Sequence, residues 1–410
     1  MILTNNKQLN SKFKVHSKKL HPLILFIGAY CTYNILGLLN MPWALQGAYD
    51  KDLPWALFTI GLIGCITGYV LFGRKKAPKK EIQTRSRRSK ILGGFFLLIF
   101  VGCIAFTIIT NRGIPLLLGE ARFSNSAIIF NLAPLFGFWV MFRYISDLAE
   151  NKKPKKLPVI FYCAGIIIFG YRAPVLIAML TIYFYYTSFK FDKNKTIKHA
   201  GVTAIIFIVS SAMVSGYRIS QEYELSDFFK NVDFQYIDEH KYVTPLVPVF
   251  SMFDFSQQTI SNAGANLKSH MYGALFLSNY EALLPGSHWG ARNIVGDLTG
   301  ARWVNNRPMS ITPTLQGALY IDFGYIGVLL GFFLISSAIC LMKSYAETGT
   351  ALVKFSFCYL FTLSLLSIHS GYWDISTLFF CLFIVIVKVF DSLKDMYPSK
   401  RSSFTQQVNT

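Results

Sequence analysis

Two stretches of the chain carry residue types that could do chemistry. The first is SHWGARNIVGDLTGARWVNNRP, residues 287–308, which sets His288, Arg292, Asp297, Arg302 and Arg307 among glycines and two tryptophans. Glycine lets a backbone approach a ligand closely, and an indole gives a stacking face for a sugar ring. His288 or Asp297 could accept a proton from a hydroxyl, and the arginines could hold a phosphate. The same residues would also make an ordinary polar loop. The second stretch is GYRAP, residues 170–174, which places Arg172 between two apolar runs. From Leu157 to Lys190 the chain must cross a membrane and return. Those 34 residues give about 51 Å of helix, where two full crossings need about 60 Å. The turn is therefore expected below the membrane surface. A charge at that depth faces a wet cavity or an anion, or else snorkels outward or pairs with a carboxylate such as Asp322 or Asp374. Arg218, just past another apolar run, is either an interfacial anchor or a further anion contact.

Other chemistries leave no trace. There is no GxxxxGK[ST], no GxGxxG after a strand and no HExxH. The GxSxG elbow is also missing. The seven histidines never recur at i, i+4. No metal site and no cofactor is expected.

The rest of the sequence must position these groups, and its composition says in what medium. Of 410 residues, 53% are hydrophobic and only 15% are charged, with mean hydropathy +0.40. A soluble enzyme needs roughly 25% charge for its surface. Ten apolar segments stand out, near 21–41, 54–73, 91–110, 125–146, 157–170, 173–189, 200–216, 319–342, 351–368 and 375–390. Most approach the roughly 20 residues that a helix needs to cross a bilayer. The chain is expected to be an all-α integral membrane protein with about ten transmembrane helices. The first segment is not read as a cleaved signal peptide, because no small-residue cleavage site follows it.

The formal charge of +19 would suggest nucleic acid on a soluble chain. Its location says otherwise. The N-terminus carries Lys7, Lys12, Lys14, Lys18 and Lys19, and the loop after the second span reads RKKAPKKEIQTRSRRSK. Basic loops also follow the fourth and sixth spans, as ENKKPKK and KFDKNKTIKH. Assigned by the positive-inside rule, inside-facing segments hold 29 basic and 7 acidic residues, and outside-facing segments hold 11 and 14. The excess charge is thus a topology signal, attracted to anionic lipid heads, and no nucleic-acid partner is expected. The reading gives a cytoplasmic basic N-terminus at 1–20, spans one to seven at 21–216, and a large extracytoplasmic loop at 217–318. Spans eight to ten follow at 319–390, with a cytoplasmic tail at 391–410. The protein is expected in the cytoplasmic (inner) membrane with both termini inside. All seven cysteines fall within spans, so neither disulfides nor a zinc site is expected.

The long loop is too aromatic and too poor in charge to be disordered. Its runs TPLVPVFSMFDF and HMYGALFLSNYEALL are expected as short helices lying on, or dipping into, the outer leaflet. Of the eleven outside-facing basic residues seven are Arg: Arg112, Arg122, Arg172, Arg218, Arg292, Arg302 and Arg307. Arginine binds phosphate bidentately and stays charged in a poor dielectric.

One further segment, RPMSITPTLQGALYIDFGYIG at Arg307–Gly327, runs a Thr-Pro stretch into Gly-x-Leu-Tyr-x-Asp-Phe-Gly-x-x-Gly at the start of a span. This resembles the oligosaccharide repeat-unit polymerases, the Wzy-type O-antigen and capsule polymerases. NRGIPLLLGEAR with Arg122, the GYRAP turn, and the large outside loop among about ten spans are similar to that family too. The likeness covers most of residues 90–390. One pattern often cited for such proteins, an Arg followed by Gly after ten residues, is absent: nine residues separate Arg307 from Gly317.

The resemblance implies a GT-C-like, metal-independent membrane glycosyltransferase acting at the outer face on oligosaccharides linked to undecaprenyl diphosphate. It implies Arg122, Arg172, Arg218, Arg292 and Arg307 as candidate ligands of the diphosphate. His288, Asp297 and Asp322 are candidates for the catalytic base. A chain-length regulator and a flippase are possible partners. Two other readings stay open: an O-antigen ligase-like transferase, and a transporter or flippase of lipid-linked sugars. Against transport, the sequence has no inverted repeat and no matching broken helices.

Overall fold

The computed structural model describes residues 21–39, 49–73, 90–114, 132–169, 173–190, 201, 247–281, 290–300, 310–373 and 375–396. Among them there are twelve helices: α1 Pro22–Leu38, α2 Asp52–Phe72, α3 Lys90–Asn111, α4 Pro134–Ala149, α5 Leu157–Ile168, α6 Ala173–Phe189, α7 Val247–Asn266, α8 Ala274–Glu281, α9 Ala291–Leu298, α10 Leu315–Thr348, α11 Ala351–Ser370 and α12 Ser376–Met396. Four stretches, 52–72, 91–111, 315–348 and 351–370, are long and apolar enough to cross a membrane, and α1, α5 and α6 are shorter apolar helices. The protein is a multi-pass membrane protein. Nine of the ten expected spans coincide with helices, although α4 is described only from Pro134 and not from 125. The seventh, 200–216, lies outside the described residues except for residue 201. Helix α5 has 12 residues, about 18 Å, well short of a bilayer core of about 30 Å.

The helices divide by what surrounds them. In α3, Leu98 and Ile109 are exposed, as expected where hydrocarbon rather than water is the solvent. In α4, 13 of 16 residues are buried, which makes it an internal pillar against which α3, α5, α6, α11 and α12 pack. Its aromatic side chains do most of the filling. Phe138 meets Tyr359, Phe380 and Phe383 edge-on, and Phe136 stacks on Phe100.

On the other side of the bundle, α2 runs along α10. The two approach at backbone distance: a Cβ on Gly64 would lie 2.5 Å from the Leu329 carbonyl oxygen, and one on Gly68 would collide with Ser336. Small residues at such spacing are how membrane helices gain close van der Waals contact.

Helix α10 is not continuous. Thr314 caps its start by accepting from the Gly317 N–H at 3.1 Å. Gly324 then breaks it with φ 67° and ψ −158°, a conformation that only glycine adopts without strain. The expected span 319–342 therefore begins within a short helix, 315–323, and a longer one follows the break. The carbonyls freed at the break are not left bare: Ile321 accepts from Met271 N–H at 3.0 Å and Asp322 from Tyr272 N–H at 2.9 Å.

Helices α7, α8 and α9 gather around the N-terminal part of α10, and we call this the capped end. Helix α7 lies inside the helix bundle here. A Cβ on Gly37 of α1 would meet the Phe253 carbonyl oxygen at 2.5 Å, and one on Gly317 of α10 would meet Ile260 at 2.9 Å.

Candidate functional site

Polar side chains are rare in an apolar bundle, and the buried amides and carboxylates among the described residues, Asn34, Asp254, Gln257, Gln316 and Asp322, stand at the capped end. On α1, Tyr30, Tyr33, Asn34 and Gly37 form one stripe at the i, i+3, i+4, i+7 spacing that shares a helix face. That stripe meets α7. The Tyr30 hydroxyl donates to Gln316 Oε1 at 2.5 Å, and Gln316 Nε2 donates to Asn34 Oδ1 at 2.7 Å. Gln257 Nε2 reaches the same Asn34 oxygen at 3.2 Å, while Asn34 Nδ2 donates to the Tyr30 carbonyl at 2.8 Å. All four residues are buried. Satisfied in this way, a buried network rigidifies its helices; half-satisfied, it would destabilise them.

A second chain lies beside it. The Tyr33 hydroxyl shares hydrogen bonds with Ser256 Oγ at 2.6 Å and with His369 Nδ1 at 2.7 Å. His369 stands in the last turn of α11. Nearby, the Tyr49 hydroxyl donates to Asp254 Oδ1 and to the Gly37 carbonyl, both at 3.1 Å. Burial, followed by the adjacent Asp254 carboxylate, pushes the Tyr49 hydroxyl above its ordinary range, so it remains a donor.

The third group centres on Asp322, which is fully buried. Its Oδ1 accepts from Leu275 N–H at 3.0 Å, and its Oδ2 from Phe276 N–H at 3.1 Å and from the Tyr372 hydroxyl at 2.8 Å. Leu275 and Phe276 open α8, so Asp322 is the capping carboxylate of a helix far away in sequence. Tyr372 also lies 3.2 Å from the Ala318 carbonyl. Burial first, and then Asp322, raises the Tyr372 hydroxyl well above its ordinary value. His270 lies on the break itself: a Cβ on Gly324 would come within 2.9 Å of its Nε2, and its ring meets Tyr320 edge-on. Its buried Nδ1 has no hydrogen-bond partner.

The residues singled out from sequence are distributed unevenly. Arg122, Arg172, Arg218, His288 and Arg307 lie outside the described residues, and so does any convergence of Arg172, Arg218 and Arg307. Arg292 and Asp297 both sit on α9, held there by Ala291 and Val295, which pack with Ala263 and Leu275. Arg292 is exposed and Asp297 half-buried. Five residues apart, they point roughly 140° from each other around the helix. The crevice between α7, α9 and the start of α10, lined by Ile260, Ala263, Val295, Gly317, Tyr320 and Ile321 among others, is apolar and has no room for a water molecule. Among the described residues no group of three or more His, Cys, Asp or Glu stands together.

Sequence reasoning passed over Tyr33, Asp254, His270 and His369. The signal for the first was present in the polar stripe of α1. For His369 it was an ionisable residue inside an apolar run, which marks a site by default in a membrane protein.

No curated protein and no solved structure matches the chain. A family model described as Putative O-antigen polymerase does match, over residues 19–381. That span takes in α1 to α11 with the start of α12, the polar stripe, the broken α10 and the capped end alike, and the chain belongs to the O-antigen polymerase family.

Proposed function

We propose that the protein lengthens a surface polysaccharide at the outer face of the cytoplasmic membrane. It would do so by joining oligosaccharide repeat units carried on undecaprenyl diphosphate. The observation that carries this reading is the family match over nearly the whole chain. The collection of buried polar groups at one end of an apolar bundle supports it. In this reading the capped end faces outward, where the positive-inside rule assigns residues 217–318.

The chemistry follows from the substrate class. A hydroxyl oxygen of the acceptor glycan attacks the anomeric carbon of the donor. The carbon–oxygen bond to the diphosphate breaks, its electrons leave with the phosphate, and the hydroxyl proton passes to a base. Arg122, Arg172, Arg218, Arg292 and Arg307 are the proposed ligands of the diphosphate, a preorganised electrostatic stabilisation of the leaving charge. The proposed bases are His288, Asp297 and Asp322, and the last already accepts three hydrogen bonds. His369 joins them, its ring oriented by Tyr33. The architecture we propose is GT-C-like, and a chain-length regulator and a flippase are the proposed partners.

The test is disruption of the gene, followed by electrophoresis of the surface polysaccharide. The expected result is replacement of a ladder by a single-repeat product. Loss of every repeat from the surface glycan points instead to transfer onto a different acceptor, or to transport, and overturns the polymerase reading. Arg172→Ala should then abolish the ladder at normal protein level. Arg172→Lys keeps the charge without the fork and should restore part of it.

A further inference from the structure

Helix α8 stands out because every N–H of its first turn has a partner within the protein. Met271 and Tyr272 donate to Ile321 and Asp322 across the α10 break; Ala274 donates to Met271, and Leu277 to Gly273. The remaining two N–H groups of the first turn, Leu275 and Phe276, donate to the Asp322 carboxylate. In water a helix N-terminus is solvated without cost. Full internal satisfaction is what hydrocarbon demands.

The side chains follow the same logic. Leu275 and Ser278 of α8 are buried against the protein, whereas Phe276 and Leu277 are exposed, Leu277 by 55%. Exposed Phe323 packs over Gly273. Beyond the break the surface continues without interruption along Ile326, Leu330 and Leu334 of α10, of which Ile326 is 71% exposed. These three recur every four residues and so form one stripe.

Depth is set by α10 itself. Glu347 stands exposed near its far end, paired at 2.7 Å with the buried Lys343. From Lys343 back to Tyr325 the helix rises about 27 Å, close to the thickness of a hydrocarbon core of about 30 Å. Tyr325 therefore marks one bilayer boundary, and α8, packed on the three residues before it, lies at that boundary. Tyr272 and Tyr325, both exposed, match the aromatic belt found at this level.

From this we infer that α8 and its entry turn are an interfacial membrane anchor, with Phe276, Leu277 and Phe323 set among the acyl chains of the adjoining leaflet. Asp322 is the positioning residue that pins the anchor to the bundle. The inference does not depend on the reaction proposed above.

The intact protein, reconstituted in phosphatidylethanolamine–phosphatidylglycerol vesicles, can be photolabelled by a phospholipid with a diazirine in its acyl chain. Mass spectrometry then locates the adducts. Adducts on 272–281 should form at a yield comparable to those on 326–334. Labelling of 326–334 with none on 272–281 overturns the inference. A second measurement places a nitroxide at Leu277→Cys in a cysteine-free background. Collision with oxygen should exceed collision with a water-soluble nickel chelate. The reverse order, or shielding from both, also overturns it. None of these outcomes depends on polymer synthesis.

Discussion

Two helix seams in this molecule solve the same problem with opposite chemistry. Between α2 and α10, Gly61, Gly64 and Gly68 let backbones and side chains touch, and dispersion does the holding. Between α1, α7 and the start of α10, Tyr30, Asn34, Gln257 and Gln316 hold through hydrogen bonds. The first seam leaves no room for a larger side chain at Gly64 or Gly68, and in the second each of the four side chains is engaged by another. They should therefore fail differently, one by collision and the other by orphaned polar groups.

The largest effect is expected in the glycine seam. Gly64→Leu forces a side chain against the Leu329 carbonyl and should cost about 3 kcal/mol or more. It should be read as loss of the monodisperse peak in size-exclusion chromatography and a lowered melting temperature. Gly28→Ala, where a Cβ would meet nothing within 4 Å, should leave both unchanged. Equal damage from the two would mean that close approach is not what the seam requires.

Next comes the polar seam. Gln316→Leu removes the shared partner of Tyr30 and Asn34 and should destabilise by about 2 kcal/mol, the cost of leaving buried groups unmet. Adding Asn34→Leu should cost less than the sum of the two single changes, because both act on one network. Strict additivity in thermal unfolding would show that the residues are not coupled.

Effects of the same size or smaller are expected where α8 is pinned. Asp322→Ala should cost about 2 kcal/mol and Tyr372→Phe about 1 kcal/mol. Amide exchange at Leu275 and Phe276 should rise sharply in the first and little in the second. If exchange there is already fast in the native protein, Asp322 is not holding the helix.

The smallest effect is on pH dependence. Folding raises the Tyr372 hydroxyl above its ordinary value of 10.0. The folded state thus keeps a proton that the unfolded state releases. The contribution is complete below pH 10 and is lost as pH climbs toward the folded value. Stability should fall above pH 10, and Tyr372→Phe should make that fall shallower.

The two seams also differ in how well sequence foretold them. Apolar length and loop charge located nine of the helices, because hydropathy averages over a window. The same averaging gave only the first part of α7, TPLVPVFSMFDF, as a short helix at the outer leaflet; Ser256, Gln257 and Thr259 beyond it read as loop composition, and the place of the helix inside the bundle was not foreseen. The partners across this seam lie 223 residues apart for Gln257 and Asn34 and 286 apart for Tyr30 and Gln316, a range no periodicity reports. Asp322 was visible as a carboxylate at the head of a span, but its use as a cap for α8 depends on a fold-level meeting. The Gly324 break fell within a glycine pattern that sequence noted for its resemblance and not for its geometry. Of the chemical candidates, Arg292, Asp297 and Asp322 can be placed, and α9 separates the first two by direction.

The break in α10 has a mechanical consequence. An unbroken helix is a stiff rod, and torque at one end reaches the other. At Gly324 the rod is jointed. A load that turns α7, α8 and α9 is taken up by rotation about one glycine and by the bonds at Met271, Tyr272, Leu275 and Phe276. The tightly meshed α2–α10 pair beyond the joint is spared that torque and keeps its register.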